Sequence, residues 1–379
     1  MNTTVNKYSL LAGDQLEEHF SQFLIDSWSF SGVSTFARNE KEFERRYIYR
    51  EPSRKSPATI AGTAYHAALE LFISALKEGE LKQIADLQEC AYKEIDKVEA
   101  NEWKLGKKTP SVEDCIAAAT KTANALIENF YKEHDIYTAQ IARVLAVEES
   151  IQSWLIVNGI DIPLPCHSKL DLVVELTDGR RIIIDHKSKT AYTDASELAY
   201  TGAKQAIVYA LQWEALHPDL PVDEVWYMEN KHSKNKDKSP QIVKNAITLD
   251  PDTRRLYEAI LYEPLRRMIL AASDPNYLYT INDADPMVDK AELYDFWART
   301  LIADIDDFLY LPDNKRELIS RRRRKMRDAS TASISPKVIK SFRKNAATFI
   351  SYELRDDMTN QEKIEHTLRM FNIMAQVPF

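Results

Sequence analysis

Cysteine is scarce in this chain of 379 residues: Cys90, Cys115 and Cys166 are widely spaced and form no Cys-x-x-Cys pair. An odd number without that pair excludes a complete disulfide framework, and the three read as buried thiols of a reducing cytoplasm. Long apolar runs are missing too, since no stretch approaches the roughly 18 consecutive apolar residues of a membrane span. Residues 1–14 lack the basic segment and apolar run of a secretory leader. The expectation is a cytoplasmic protein with no membrane partner. Positive charge is in deficit, with 50 Lys and Arg against 58 Asp and Glu and a net charge of −8. That excludes a globally cationic body and leaves any polyanion contact to local basic patches. What remains is ordinary for a globular chain with a sizeable core, 44% hydrophobic and 28% charged residues.

Helical periodicity dominates the first third, with amphipathic patterns at 15–27, 34–48, 61–77, 81–100 and 111–133. From about 140 the texture turns β-branched and alternating. Strands are expected at 141–149, 153–158, 168–176 and 180–185, the last two joined by the turn signal Thr177-Asp178-Gly179. A long helix over 196–217, stopped by Pro218, leads to strands at 224–229 and 241–249. Such an order places a helical crossover between strands of one sheet. Further helices are expected at 252–273, 289–309, 313–327, 336–350 and 359–374, and there is no internal repeat.

Chemistry concentrates in the central strands. Ser168-Lys169-Leu170-Asp171 lies on one, and Asp185-His186-Lys187-Ser188 ends its neighbour. Asp185 and Lys187 are two apart on a strand, so their side chains share a face. Carboxylates there can hold Mg²⁺ or Mn²⁺, which supplies both a hydroxide at neutral pH and stabilisation of charge on a phosphorane-like transition state. Asp171 and Asp185 are the expected holders, and Lys187 would orient or deprotonate the attacking water, or neutralise the developing charge.

Four pieces in this order resemble the PD-(D/E)XK nuclease superfamily, in particular its RecB-like and phage-exonuclease branch. Gly62-Thr63-Ala64-Tyr65-His66 resembles Gly-x-x-x-His, Lys169-Leu170-Asp171 resembles Gly-x-x-Asp, Asp185-His186-Lys187-Ser188 resembles Asp-x-Lys-Thr, and Gln205-Ala206-Ile207-Val208-Tyr209 resembles Gln-x-x-x-Tyr. The resemblance covers about 30–275 and implies a restriction-endonuclease-like α/β core, a mixed central sheet flanked by helices, with a helical N-terminal block and a helical C-terminal region. The corresponding division is 1–135 for the block carrying His66, 136–285 for the nuclease core and 286–379 for the C-terminal region. It implies that His66, Asp171 and Asp185 bind metal with the carbonyl of His186, and that Gln205 and Tyr209 contact DNA phosphate or brace Lys187. Glu148 falls on a preceding strand where relatives carry an acid, with Glu149 as an equally placed neighbour.

The sequence departs from the pattern at Ser168, where the family has Gly, and at Ser188, where it has Thr; both residues are small. Relatives with an iron–sulfur cluster flank the core with cysteines, and none occurs near 36–50 or 270–285, so no cluster is expected, four thiolates being the usual need. DNA contacts are expected from Arg321, Arg322, Arg323, Arg324 and Lys325 and from the lysine loop that contains Lys231, Lys234, Lys236 and Lys238. A solvated helix face beside Asp304, Asp306 and Asp307, and a mobile loop tip, are the alternatives. Trp28, Phe30 and Phe36 are candidates for base stacking or for the core. The resulting expectation is an exonuclease acting in DNA recombination, repair or phage DNA processing. A catalytically silent DNA-binding scaffold and a structure-selective endonuclease are the other readings. The branch suggests a single-strand annealing protein or a helicase as partner; no Walker-type phosphate loop occurs in this chain, so any ATP-driven unwinding is expected from elsewhere.

Overall fold

The computed structural model describes residues 5–274, 276–302 and 305–331, so the helices expected at 336–350 and 359–374 lie outside the described residues. The chain falls into two compact units, each assembled from two separated stretches. One comprises Met1–Leu10 with Ser53–Tyr262, and the other Leu11–Pro52 with the chain from Glu263 onward.

In chain order the strands of the first unit are β1 (Ile141–Ser153), β2 (Ile156–Val157), β3 (Ile160–Asp161), β4 (Cys166–Leu176), β5 (Arg181–Lys189), β6 (Glu224–Lys231) and β7 (Ile242–Thr248). Five form one mixed sheet in the order β1-β4-β5-β6-β7, antiparallel except between β5 and β6. A parallel pair needs a crossover, and the helix Ala203–Leu216 lies on that connection, as the sequence pattern anticipates. The strand expected over 153–158 is instead divided. Asn158 and Gly159 both take positive φ, 53° and 72°, the backbone of a two-residue hairpin turn, and fold β2 onto β3.

Alternation along the strands sets the core. Leu172, Val174, Ile182, Ile184, Trp226 and Met228 form one buried cluster with the helices Pro57–Lys77, Ile84–Asp96 and Val112–Glu133. Each fully buried Leu or Ile in such a cluster contributes on the order of 1.5–3 kcal/mol of transfer free energy. The helix Ala203–Leu216 meets the sheet elsewhere: Gln212 Nε2 donates to the Cys166 carbonyl at 2.8 Å.

The helix Pro57–Lys77 begins four residues before its apolar pattern because Ser56 caps it, its hydroxyl accepting from the Thr59 N–H, and Pro57 occupies the first turn. By length and composition this helix could cross a membrane, but half of its apolar window is buried inside the protein. Asn230 fixes it to the sheet. Its side-chain amide donates to the Tyr65 hydroxyl at 3.0 Å and to the Leu126 carbonyl at 2.8 Å, so β6 holds two helices at once.

In the second unit the helical pattern over 34–48 breaks at Asn39, whose extended backbone (φ −156°) ends the helix Phe30–Arg38 and caps the next, with its side chain accepting from the Glu42 N–H. The segment after it is charged yet buried: Lys41 Nζ lies 2.6 Å from Glu44, and Arg45 makes two 2.9 Å bonds to Glu42. Glu40 accepts from Arg267, from the Tyr277 hydroxyl and from both the N–H and hydroxyl of Thr280. Buried charges persist only when paired in this way. Within the span 289–309 the described residues form the helix Lys290–Ile302 and a short turn at Ile305–Asp307, and Asp313–Thr331 forms the last helix among the described residues.

Candidate active site

Strands β4 and β5 pair from Glu175 and Arg181 to Leu172 and Ile184. Beyond that point they separate: β4 continues along β1, and β5 runs beside β6 as far as Lys189. Asp171 and Asp185 are the first residues past the last pair. In place of the next ladder bond, the His186 N–H donates to Asp171 Oδ2 at 2.7 Å. The fork therefore opens a polar gap in an otherwise apolar sheet, with a carboxylate on each prong.

His66 reaches the fork from the helix Pro57–Lys77. Its Nδ1 lies 3.4 Å from Asp171 Oδ2 and 3.6 Å from Glu148 Oε1. One donor atom from each of these three residues lies within 4.8 Å of the others, a spacing that can hold a metal ion. Gly62 lets the helix come this close, because a Cβ there would stand 2.9 Å from Ser188 Oγ. Of the two neighbouring glutamates, Glu148 is the one at the site. It occupies the left-handed region at φ 49°, a conformation that costs a non-glycine residue about 1–2 kcal/mol. Its second oxygen, Oε2, pairs with Lys169 Nζ at 2.5 Å.

On the other prong Lys187 Nζ lies 2.7 Å from Asp185 Oδ2. This close ion pair is the contact that the buried Oδ2 makes. Oδ1 accepts from the Tyr209 hydroxyl at 3.2 Å, and Gln205 Nε2 donates to that hydroxyl at 2.7 Å. Gln205 and Tyr209, one helical turn apart, thus form a string that ends on Asp185 and not on Lys187.

Electrostatics separates the groups. Burial works against the charge on His66, but the hydrogen bonds and charges of Asp171 and Glu148 outweigh it and raise its pKa to about 10. Burial likewise pushes Asp171 up, yet His66 and then His186 pull it below the ordinary range. Asp185 is raised by burial, with Lys187 opposing. Lys187 loses to burial and gains more from Asp185, Asp171 and Glu229, so it stays above its usual value. His186 is driven down to about 4 by burial and is a neutral imidazole at pH 7.

The other expected contacts are distributed differently. Arg322 and Arg323 are buried: the first donates to the Tyr277 carbonyl and lies over the Tyr279 ring, and the second donates to the Thr300 carbonyl at 3.0 Å. Arg321 is exposed and pairs with Glu317, Arg324 is exposed, and the side chain of Lys325 lies outside the described residues, as does Asp304. Lys234, Lys236 and Lys238 are exposed on a loop that is stitched together: the Asn235 amide donates to the Tyr192 hydroxyl and the Pro240 carbonyl, and Lys231 donates to Asn235. Trp28 and Phe36 are core residues and Phe30 is half-buried.

Residues 27–326, which include both prongs of the fork and the histidine helix, match the sequence profile of the PD-(D/E)XK nuclease superfamily. The chain belongs to that superfamily. Among curated proteins no relative matches it. Of solved structures, it is similar to a candidate exonuclease from Eubacterium rectale, at 14% identity and a TM-score of 0.43 over 75% of this chain and 91% of that one. It is also similar to the protein SSO0001, at 14% identity and a TM-score of 0.25 over 56% of this chain and 88% of that one.

Members of the PD-(D/E)XK superfamily typically use divalent metals, and the fork suits one. An imidazole with two carboxylates is a donor set for Mn²⁺ and acceptable to Mg²⁺, and His66, Glu148 and Asp171 offer that set within 4.8 Å. Three residues of the PD-(D/E)XK fork were not singled out from sequence. Lys169 shares a strand face with Asp171 at i, i+2, a signal that was available. Glu229 pairs with Lys187 across the parallel register, lies 3.6 Å from Lys189 Nζ and accepts from the Thr193 N–H at 2.8 Å. A lone acid in the buried run Trp226-Tyr227-Met228-Glu229 marks it. Tyr137, bonded to His186, carries no local signal at all.

Proposed function

We propose that this protein is a divalent-metal-dependent deoxyribonuclease that works from DNA ends. The observation that carries the reading is the meeting, in one fork, of the His66, Glu148 and Asp171 donors with the Asp185–Lys187 pair. His66, Glu148 and Asp171 would hold Mg²⁺ or Mn²⁺, with Asp185 and the His186 carbonyl as the remaining candidates. The ion supplies a hydroxide near neutral pH and stabilises charge on the phosphoryl oxygens. Lys187, kept protonated by its neighbours, is better suited to orient water and neutralise the phosphate than to take a proton. Tyr209 and Gln205 hold Asp185 in place. Arg321, Arg324, Lys234 and Lys236 are the candidate phosphate contacts outside the fork.

The preference for ends is supported by the resemblance of the segment Gly62 to His66 to the histidine-bearing branch. A helicase or a single-strand annealing protein is the partner that branch suggests. The test is degradation of end-labelled duplex, end-labelled single strands and closed circular single-stranded DNA with Mn²⁺, Mg²⁺ or EDTA, for the natural protein and Lys187→Ala. Metal-dependent loss of linear but not circular DNA, abolished by the substitution, is the expected result. Folded protein that binds Mn²⁺ and DNA and cuts nothing would refute the enzymatic reading, and cutting of the circle would refute action from ends.

A further inference from the structure

The fork carries an ammonium on each prong. Lys187 follows Asp185 by two residues on β5, and Lys169 precedes Asp171 by two on β4, so each lysine shares a strand face with its neighbouring carboxylate. The two differ in freedom. Lys187 lies against buried Asp185, whereas Lys169 holds Glu148 Oε2 at 2.5 Å and leaves 56% of its side chain in solvent, against 34% for Lys187. Glu148 is 6% exposed and turns its other oxygen toward His66. Glu70, exposed one turn beyond His66, also attracts Lys169, but an exposed pair is worth little.

Glu148 cannot give its full charge both to a metal and to Lys169, because both draw on one carboxylate. The flexible four-carbon stem of a lysine lets the ammonium move when that hold slackens. Charge balance points the same way. Glu148, Asp171 and Asp185 set three carboxylates against the two lysines, with His66 neutral as a ligand must be. One divalent ion then leaves the fork with a single positive charge in excess, which a phosphodiester matches. Two residues of strand separate Lys169 from Asp171 by about 6.6 Å, a distance comparable to the step between neighbouring phosphates on an extended single strand.

We propose that Lys169 is a substrate-binding residue: with metal in the fork, its ammonium leaves Glu148 for the phosphate next to the scissile one on the strand being cut. The proposal rests on the nuclease reading of the fork, but its test reads binding and not turnover. Fluorescence anisotropy of an end-labelled single-stranded oligonucleotide is followed against salt in Mn²⁺, in a Lys187→Ala background, with Lys169 natural or changed to Ala or Arg. Loss of one phosphate contact is expected to reduce the slope of log affinity against log salt by about 0.7 in Lys169→Ala, and Lys169→Arg should keep the slope. An unchanged slope in Lys169→Ala overturns the proposal. So does a fall in Mn²⁺ affinity by calorimetry with the slope unchanged, which would make Lys169 only a brace for Glu148.

A second measurement places the contact. Oligonucleotides carrying one neutral methylphosphonate at successive positions should include one position at which Lys169→Ala costs no further affinity. An equal cost at every position would mean that the charge acts at long range without touching a phosphate, and would overturn the proposal. Natural protein that cuts nothing while Lys169→Ala still lowers the slope would refute the nuclease reading and keep the contact. Cutting by the natural protein with an unchanged slope would do the reverse.

Discussion

Gly62→Ala tests how closely the histidine helix must approach the sheet. The added methyl would stand 2.9 Å from Ser188 Oγ, while Ser188 Cβ, at 3.9 Å, is already at ordinary contact distance. Relieving the clash by moving the helix takes roughly 0.5 Å, and His66 is one turn further along the same rod. A displacement of about 1 Å can cost a factor of about 100 in rate, so half of that predicts a loss of roughly tenfold in kcat. Stability is expected to move little, because overpacking of about 1–3 kcal/mol is partly offset by about 1 kcal/mol of helix propensity gained from glycine to alanine. The assay is kcat for DNA hydrolysis with saturating Mn²⁺, alongside Tm, for Gly62→Ala, Ser188→Ala and the double variant. Removing Oγ should restore the rate in the double variant. Full activity in Gly62→Ala alone would mean that the serine simply rotates aside and that the close approach does not place His66.

Two further outcomes follow from the charges. His66, with a pKa near 10, is protonated across the neutral range without metal and must lose that proton to ligate. Mn²⁺ affinity should therefore rise with pH up to about 10, with about one proton released per ion; calorimetry in buffers of different ionisation enthalpy reads the number, and its persistence in His66→Ala would contradict the assignment. In the arginine run, Arg322→Ala and Arg323→Ala should each lower stability by about 1–3 kcal/mol, since the first removes a buried guanidinium that lies over the Tyr279 ring and the second strands the Thr300 carbonyl in a buried contact, and Arg324→Ala should leave Tm unchanged while reducing the salt dependence of DNA binding. Equal effects at all three positions would refute the division of the run into buried and exposed residues.

The sheet and its crossover were legible because β-branched alternation and turn residues carry that information locally. So were the residues that the fork brings together, since Asp171, Asp185 and Lys187 sit in short strand motifs and His66 one turn after Gly62. Choosing between Glu148 and Glu149 needed the backbone: the left-handed turn at Glu148 decides which side chain faces His66, and no residue type at that position announces it. The arginine run misled for a related reason. Four adjacent residues on a helix point around its full circumference, so charge alone could not tell that 322 and 323 face inward. Tyr137 was invisible because its partner is 49 residues away.

The buried ionic knot around Glu40 has a consequence for the order of events on the ribosome. Every bond that its side-chain carboxylate accepts comes from a residue at or beyond Arg267, so the carboxylate emerges long before the groups that pair it exist. At 5–20 residues per second the wait is roughly 10–40 s, during which Ser53–Tyr262 can complete its own sheet. The Glu40 carboxylate, on the first-made segment of the second unit, is thus among the last groups of that unit to be paired.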